Sequence, residues 1–157
     1  MNNSYILLRH AHSRFSSDDF NRTLSEKGFS SLNQLDFLNS FNIDYYFSSP
    51  YKRALFIEDT EFEKTIQYLW QNPDKSLIGG ESNREVLNRI LDLFEDLEER
   101  YSDKTILLSS HGNLLGILIN HFDPNFDYKK WKQMTFPDCF LVDKDKSVKR
   151  IMKVTSR

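Results

Sequence analysis

Cysteine is nearly missing from this chain, as are long apolar runs and any excess of charge of one sign. Among 157 residues there is a single cysteine, Cys139, so no internal disulfide can form. The apolar start over residues 1–8 is too short for a signal peptide, and the predicted compartment is the cytoplasm. Runs such as 105–108 and 114–119 fall far short of the roughly 20 residues that cross a bilayer, so no membrane span is expected. Lys and Arg number 21 against 23 Asp and Glu, a formal charge of −2, which offers no broad basic field to a nucleic-acid backbone. There is no internal repeat, low-complexity segment or linker, and residues 1–157 read as one domain.

What is present has the pattern of an α/β protein. Residues 5–8, 43–47 and 105–108 are continuously apolar or nearly so, as expected of strands buried on both faces. Helical segments lie between them. Ser25 can cap a segment in which Phe29, Leu32, Leu35 and Leu38 form a stripe expected to face the sheet. Phe62, Ile66, Leu69 and Trp70 mark a second helix that Asn72-Pro73 stops, because proline lacks the next donor. Ser82-Asn83-Arg84-Glu85 reads as a capping box opening a third helix, with Val86, Ile90, Leu93, Phe94 and Leu97 as its apolar face to about Tyr101. Residues 138–142 and 148–154, divided by the charged stretch 143–146, predict a terminal hairpin. Strands alternating with helices predict a mainly parallel central sheet.

The chemistry sits where those strands end. The first runs into Arg9-His10-Ala11-His12-Ser13, the second into Ser48-Ser49-Pro50-Tyr51-Lys52-Arg53, and the third into Ser109-Ser110-His111-Gly112. In a parallel sheet these ends share one edge, outside which ligands of open α/β folds bind. Two arginines and two histidines would then surround one anion-seeking pocket. Pro50 suits a first helical turn and Gly112 a tight strand-to-helix turn, which aims backbone N–H groups at the same place. A phosphoryl group is the natural guest, since a guanidinium donates two parallel hydrogen bonds to its oxygens. A neutral imidazole among such cations can attack phosphorus, and water can cleave the resulting phosphohistidine. Charge on the equatorial oxygens would be met by Arg9, Arg53 and His111, with no metal and no cofactor required.

These motifs resemble, in order and over nearly the whole chain, those of the histidine phosphatase superfamily, the phosphoglycerate mutase-like proteins. The matching stretches are Leu8 through Ser13, Leu24-Ser25-Glu26-Lys27-Gly28, Ser48 through Ala54, Gly79-Gly80-Glu81-Ser82 and Ser110-His111-Gly112. The resemblance implies a three-layer α/β sandwich in which His10 is the phosphorylated nucleophile. It further implies that Arg9 and Arg53 hold the phosphoryl group and that His111 completes the pocket. Three departures stand out. Ala11-His12-Ser13 replaces the usual glycine, acidic residue and threonine, and Ser16 stands where many members carry a phosphate-touching asparagine. His12 and Ser16 are accordingly taken as substrate-binding candidates. After Arg53-Ala54 the chain is also shortened, between about 55 and 61, by roughly thirty residues against an ordinary crossover plus active-site loop. That segment carries the family's leaving-group acid, so the acid stays open among Glu58, Glu61, Glu63, Glu81 and His12, with Glu81 taken as the catalytic candidate.

The leading expectation is a metal-independent phosphomonoesterase, a histidine-type acid phosphatase acting on a phosphorylated small molecule or phosphoprotein. A mutase is less expected, because so short a chain has little material for a water-excluding lid. The alternative is a phosphate-binding pseudoenzyme that lost turnover with the acid-bearing segment. A third reading takes His10-Ala11-His12, with Asp18 and Asp19, as part of a metal hydrolase site, but no full ligand set appears. His121 has no motif around it, and the run Lys129-Lys130-Trp131-Lys132 reads as a solvated helix face. The aromatic residues Phe15, Tyr51, Trp70 and Trp131 read as core or as packing under loops.

Overall fold

The computed structural model describes residues 1–14, 23–48 and 59–152, with backbone alone for 59–62. Its strands are β1 (Ser4–Arg9), β2 (Tyr45–Ser48), β3 (Thr105–Ser110), β4 (Asp138–Val142) and β5 (Val148–Arg150). They form one mixed sheet in the order β2-β3-β1-β4-β5. The three strands predicted from apolar runs are its parallel part, with Leu8 beside Ser109 and Ser48 beside Ser109. Their carboxyl ends therefore do share an edge. The predicted hairpin also forms, β4 running antiparallel to β1 and β5 antiparallel to β4. Antiparallel pairing sets Asp138, the first residue of β4, opposite Arg9, the last of β1.

Alternation along the central strands divides the core in two. Tyr5, Leu7, Ile106, Leu108, Phe140 and Val142 pack on Ile90, Phe94 and Leu97 of α3 (Asn83–Arg100) and on Leu115, Leu118 and Ile119 of α4 (Gly112–Phe122). On the other face Ile6, Leu107, Cys139 and Met152 meet Leu35, Phe37, Leu38 and Phe41. Cys139 is fully buried there, and desolvation pushes its thiol up to about 12, which leaves it unreactive.

The helix after Ser25 differs from expectation. Ser25 caps only α1 (Glu26–Ser30), its Oγ accepting from Gly28 N at 3.0 Å, and residues Leu32–Ser40 then form a 3-10 helix. The physical reason was in the spacing: apolar residues every third position match the 3.0-residue turn of a 3-10 helix better than 3.6. Only Leu35 and Leu38 of the predicted stripe reach the core, while Phe29 is 57% exposed. The helix predicted before Asn72 is α2 (Asp59–Gln71), where Leu69 is buried and Trp70 packs at the core margin.

α3 starts where the sequence placed it. Ser82 Oγ accepts from Glu85 N and the Glu85 carboxylate accepts from Ser82 N at 2.7 Å, closing the capping box. Its inward face is Leu87, Ile90, Leu91, Phe94 and Leu97, with Leu93 turned to solvent. Ser82→Ala is expected to cost about 1 kcal/mol in a urea titration, the usual worth of a cap. Among the described residues no helix is long and apolar enough to cross a membrane.

Candidate active site

The parallel edge gathers β1, β3 and the start of α4. β1 delivers Arg9 and then His10, whose N–H donates to Ser110 O at 3.3 Å as the chain leaves the sheet. β3 delivers His111, the residue capping α4 in extended conformation, with no side-chain bond to the helix's own N–H groups. The His111 and His10 rings form a T-shaped pair, centroids 5.2 Å apart. His10 Nδ1 lies 2.8 Å from Ala11 O. A carbonyl oxygen only accepts, so Nδ1 carries a proton, and in the neutral form of the ring the lone pair lies on Nε2.

Among the described residues Arg9 is held by Phe136, Gly112 and Met134. Its Cζ lies 3.4 Å from the centroid of the Phe136 ring, a cation–π stack. On Gly112 a Cβ would fall 2.6 Å from that same Cζ, so the glycine leaves the space the guanidinium fills at the first turn of α4. Nη1 donates to Met134 O at 3.1 Å. Nε is buried and finds no partner among the described residues, and neither does the buried Ser110 Oγ. Burial pulls the Arg9 guanidinium down to about 10, partly offset by the carboxylate of Asp138. At neutral pH it remains a half-buried cation whose Nε has no partner among the described residues, beside a helix N-terminus that is itself electropositive. A guanidinium donor without a partner next to a helix N-terminus is a combination that attracts anions.

A family model, the histidine phosphatase superfamily (branch 1), matches residues 55–143, more than half of the chain. The chain belongs to the histidine phosphatase superfamily. The match takes in Glu81, His111 and Asp138, while Arg9 and His10 precede it. Comparison with curated proteins yields no match. Solved structures of the same fold include YhfR from Bacillus stearothermophilus, with a TM-score of 0.66 at 15% identity over 96% of each chain. Mycobacterial glucosyl-3-phosphoglycerate phosphatase with VO3 aligns with a TM-score of 0.69 at 16% identity, covering 98% of this chain and 99% of that one. A mutant phosphoserine phosphatase from Entamoeba histolytica, in complex with phosphoserine, aligns at 0.60 and 16% identity over 95% of each chain.

In this histidine phosphatase fold Arg9, His10 and His111 lie together at the parallel edge. His12 is exposed, with Nδ1 2.8 Å from Ser25 Oγ, and its ring centroid lies 6.1 Å from that of Phe136, as does that of His10. Its backbone is held too. Ser25 N donates to His12 O at 3.0 Å, and a Cβ on Gly28 would fall 2.0 Å from that oxygen. Gly28→Ala must shift backbone rather than a flexible side chain, so we expect a loss of about 1–3 kcal/mol, readable as a lower urea midpoint.

Glu81 lies just before α3 and accepts from Arg89 Nε and Nη2 at 3.1 and 2.9 Å. Glu63 pairs at 2.8 Å with Lys132 of α5 (Tyr128–Lys132) on the outer surface. Lys129 and Lys130 are exposed, in keeping with a solvated helix face, and His121 is exposed as well. Trp70 and Trp131 pack together, centroids 6.1 Å apart, over the notch at Gly116. Arg53, Ser16, Phe15, Asp18, Asp19, Tyr51 and Glu58 lie outside the described residues, as do residues 55–58 of the stretch read as shortened, and the side chain of Glu61 does too. Among the described residues no three His, Cys, Asp or Glu side chains gather as a metal-ligating group.

Three residues of the site escaped the sequence reading: Phe136, Asp138 and Arg150. The available signal was an acidic residue heading an otherwise apolar strand. Nothing local told which strand would lie beside it.

Proposed function

We propose that this chain is a metal-independent phosphomonoesterase that passes the phosphoryl group through Nε2 of His10. The observation that carries this reading is the buried Arg9 Nε, without a partner among the described residues, near the His10–His111 pair and the α4 N-terminus. A phosphate oxygen accepting from Arg9 and from the first N–H groups of α4 would satisfy those donors together. His10 Nε2 then attacks phosphorus in line, the P–O bond to the leaving group breaks, and the leaving oxygen takes a proton. In the second half a water attacks the phosphohistidine, the P–N bond breaks, and neutral His10 and inorganic phosphate are released. Arg9, Arg53 and His111 are assigned to the charge on the transferring oxygens. Glu81 and His12 are the described groups to test for the leaving-group proton, by comparing Glu81→Gln and His12→Asn on alkyl and p-nitrophenyl esters.

The fold is completed in this proposal as a three-layer sandwich. Small anionic phosphomonoesters are the substrate class to screen first, because two of the similar structures are named as phosphatases of phosphoserine and of glucosyl-3-phosphoglycerate. Phosphoproteins come second.

Binding is tested apart from turnover. Inorganic phosphate at about 100 times its Kd should stabilise the fold by about 2.7 kcal/mol, seen as a raised Tm. An unchanged Tm at saturating phosphate would refute the anion pocket. Affinity should also depend on alkali in a defined direction. Arg9 is charged below about 10 and loses its proton above it, so phosphate affinity is retained to pH 9 and declines as pH rises through about 10.

A further inference from the structure

Behind the Arg9 clamp lies a carboxylate that the proposed chemistry does not use. Asp138 is fully buried at the head of β4 and all its acceptor positions are taken. Oδ1 accepts from Cys139 N at 2.9 Å and from Arg150 Nε at 2.9 Å. Oδ2 accepts from Thr135 N at 2.9 Å and from Arg150 Nη2 at 2.6 Å. The bond to Thr135 N ties down the turn that presents Met134 O and the Phe136 ring to Arg9. Arg150 rises from β5, its guanidinium over the Phe140 ring, and approaches the Asp138 carboxylate with a two-pronged fork.

The register makes this pair more than a brace. Asp138 stands opposite Arg9 across β1 and β4, and its charge is felt at the Arg9 guanidinium. A buried carboxylate without a partner is strongly disfavoured and seeks the nearest cation. With Arg150 in place the carboxylate is satisfied, and Arg9 Nε has no partner among the described residues. Without it, Arg9 is the cation within reach. A guanidinium turned back onto Asp138 could no longer offer that Nε to phosphate.

We infer that Arg150 is a positioning residue which, by occupying Asp138, keeps Arg9 available to the substrate's phosphoryl group. This rests on the anion pocket proposed above, and the test reads phosphate binding without requiring turnover. The affinity of the full chain for inorganic phosphate is measured by calorimetry for the native protein, Arg150→Met, Arg150→Lys, and Arg150→Met combined with Asp138→Asn. Met keeps the length of the stem over Phe140 and removes the charge. Arg150→Met should weaken phosphate binding about 10- to 100-fold, and Arg150→Lys by less, since an ammonium keeps the charge without the fork. The decisive outcome is the double variant. Removing the competing carboxylate should restore much of the affinity lost in Arg150→Met, whereas a purely structural role predicts an equal or greater loss. Native-like phosphate affinity in Arg150→Met, or a double variant no better than it, overturns the inference. Should Arg150→Met fail to fold, native affinity in Arg150→Lys overturns it equally. If the native chain itself binds no phosphate, the anion pocket fails first and this inference with it.

Discussion

His10→Ala is expected to lower kcat/KM for p-nitrophenyl phosphate by about 10⁴-fold or more, the scale of losing a covalent nucleophile. The measurement is made from pH 5 to 8 with excess chelator. p-Nitrophenolate is a good leaving group that hardly needs a proton, so the assay isolates attack on phosphorus from the question of the acid. Three observations set the expectation. Nδ1 is fixed on Ala11 O, the His10 and His111 rings pack edge to face, and the half-buried Arg9 beside them has an Nε without a partner among the described residues. The attacking Nε2 is thus held in one tautomer before substrate arrives. A second readout is independent of rate: brief reaction with radiolabelled ester should leave acid-labile phosphate on the native chain and none on His10→Ala. Turnover that survives His10→Ala, or that chelator abolishes and metal restores, would defeat the phosphohistidine route. Phosphate binding with no turnover in the native chain would replace the enzyme reading with the binding-only one.

The second large effect is expected at Gly112. Alanine there places a Cβ 2.6 Å from Arg9 Cζ and 2.7 Å from Nε. On an open surface a long side chain would swing aside at little cost. Here Phe136 closes the opposite face at 3.4 Å and Met134 O holds Nη1, so the guanidinium can yield only by leaving its clamp. Gly112→Ala should therefore fold but weaken inorganic phosphate binding about 100-fold, by the loss of one charge-assisted, two-pronged contact of about 1.5–3 kcal/mol. Arg9→Lys is the companion variant. An ammonium keeps the charge yet cannot donate the parallel pair, and a similar loss is expected. Calorimetry with phosphate checks both. Native affinity in Gly112→Ala would mean that Arg9 does not hold the anion in the clamped geometry.

Much of this site was legible in one dimension because strand ends are local features. Apolar runs that stop at Arg9-His10 and at Ser110-His111 mark both the strands and the residues just beyond their carboxyl ends. Parallel pairing then brings those ends together without further information. The capping box at Ser82 and Glu85 was legible for the same reason, as both partners lie within one turn. The 3-10 helix was written in a spacing of three, and its misreading as an α-helical stripe came from treating three as an approximation to 3.6.

What the sequence determined by itself was therefore everything set by neighbours in the chain: the parallel strands, the capped helix, the placing of Arg9, His10 and His111 at the strand ends, and the family motifs. What only the tertiary structure decided was the surroundings of Arg9. The Phe136 ring, the Met134 carbonyl and the Asp138–Arg150 pair lie more than a hundred residues further along, and they reach Arg9 because β4 turns antiparallel to β1 and starts where β1 ends. A pairing direction is a choice among global arrangements of similar local propensity, made by which faces can be buried together. No local pattern around Asp138 records that choice, although the chemistry of Arg9 depends on it.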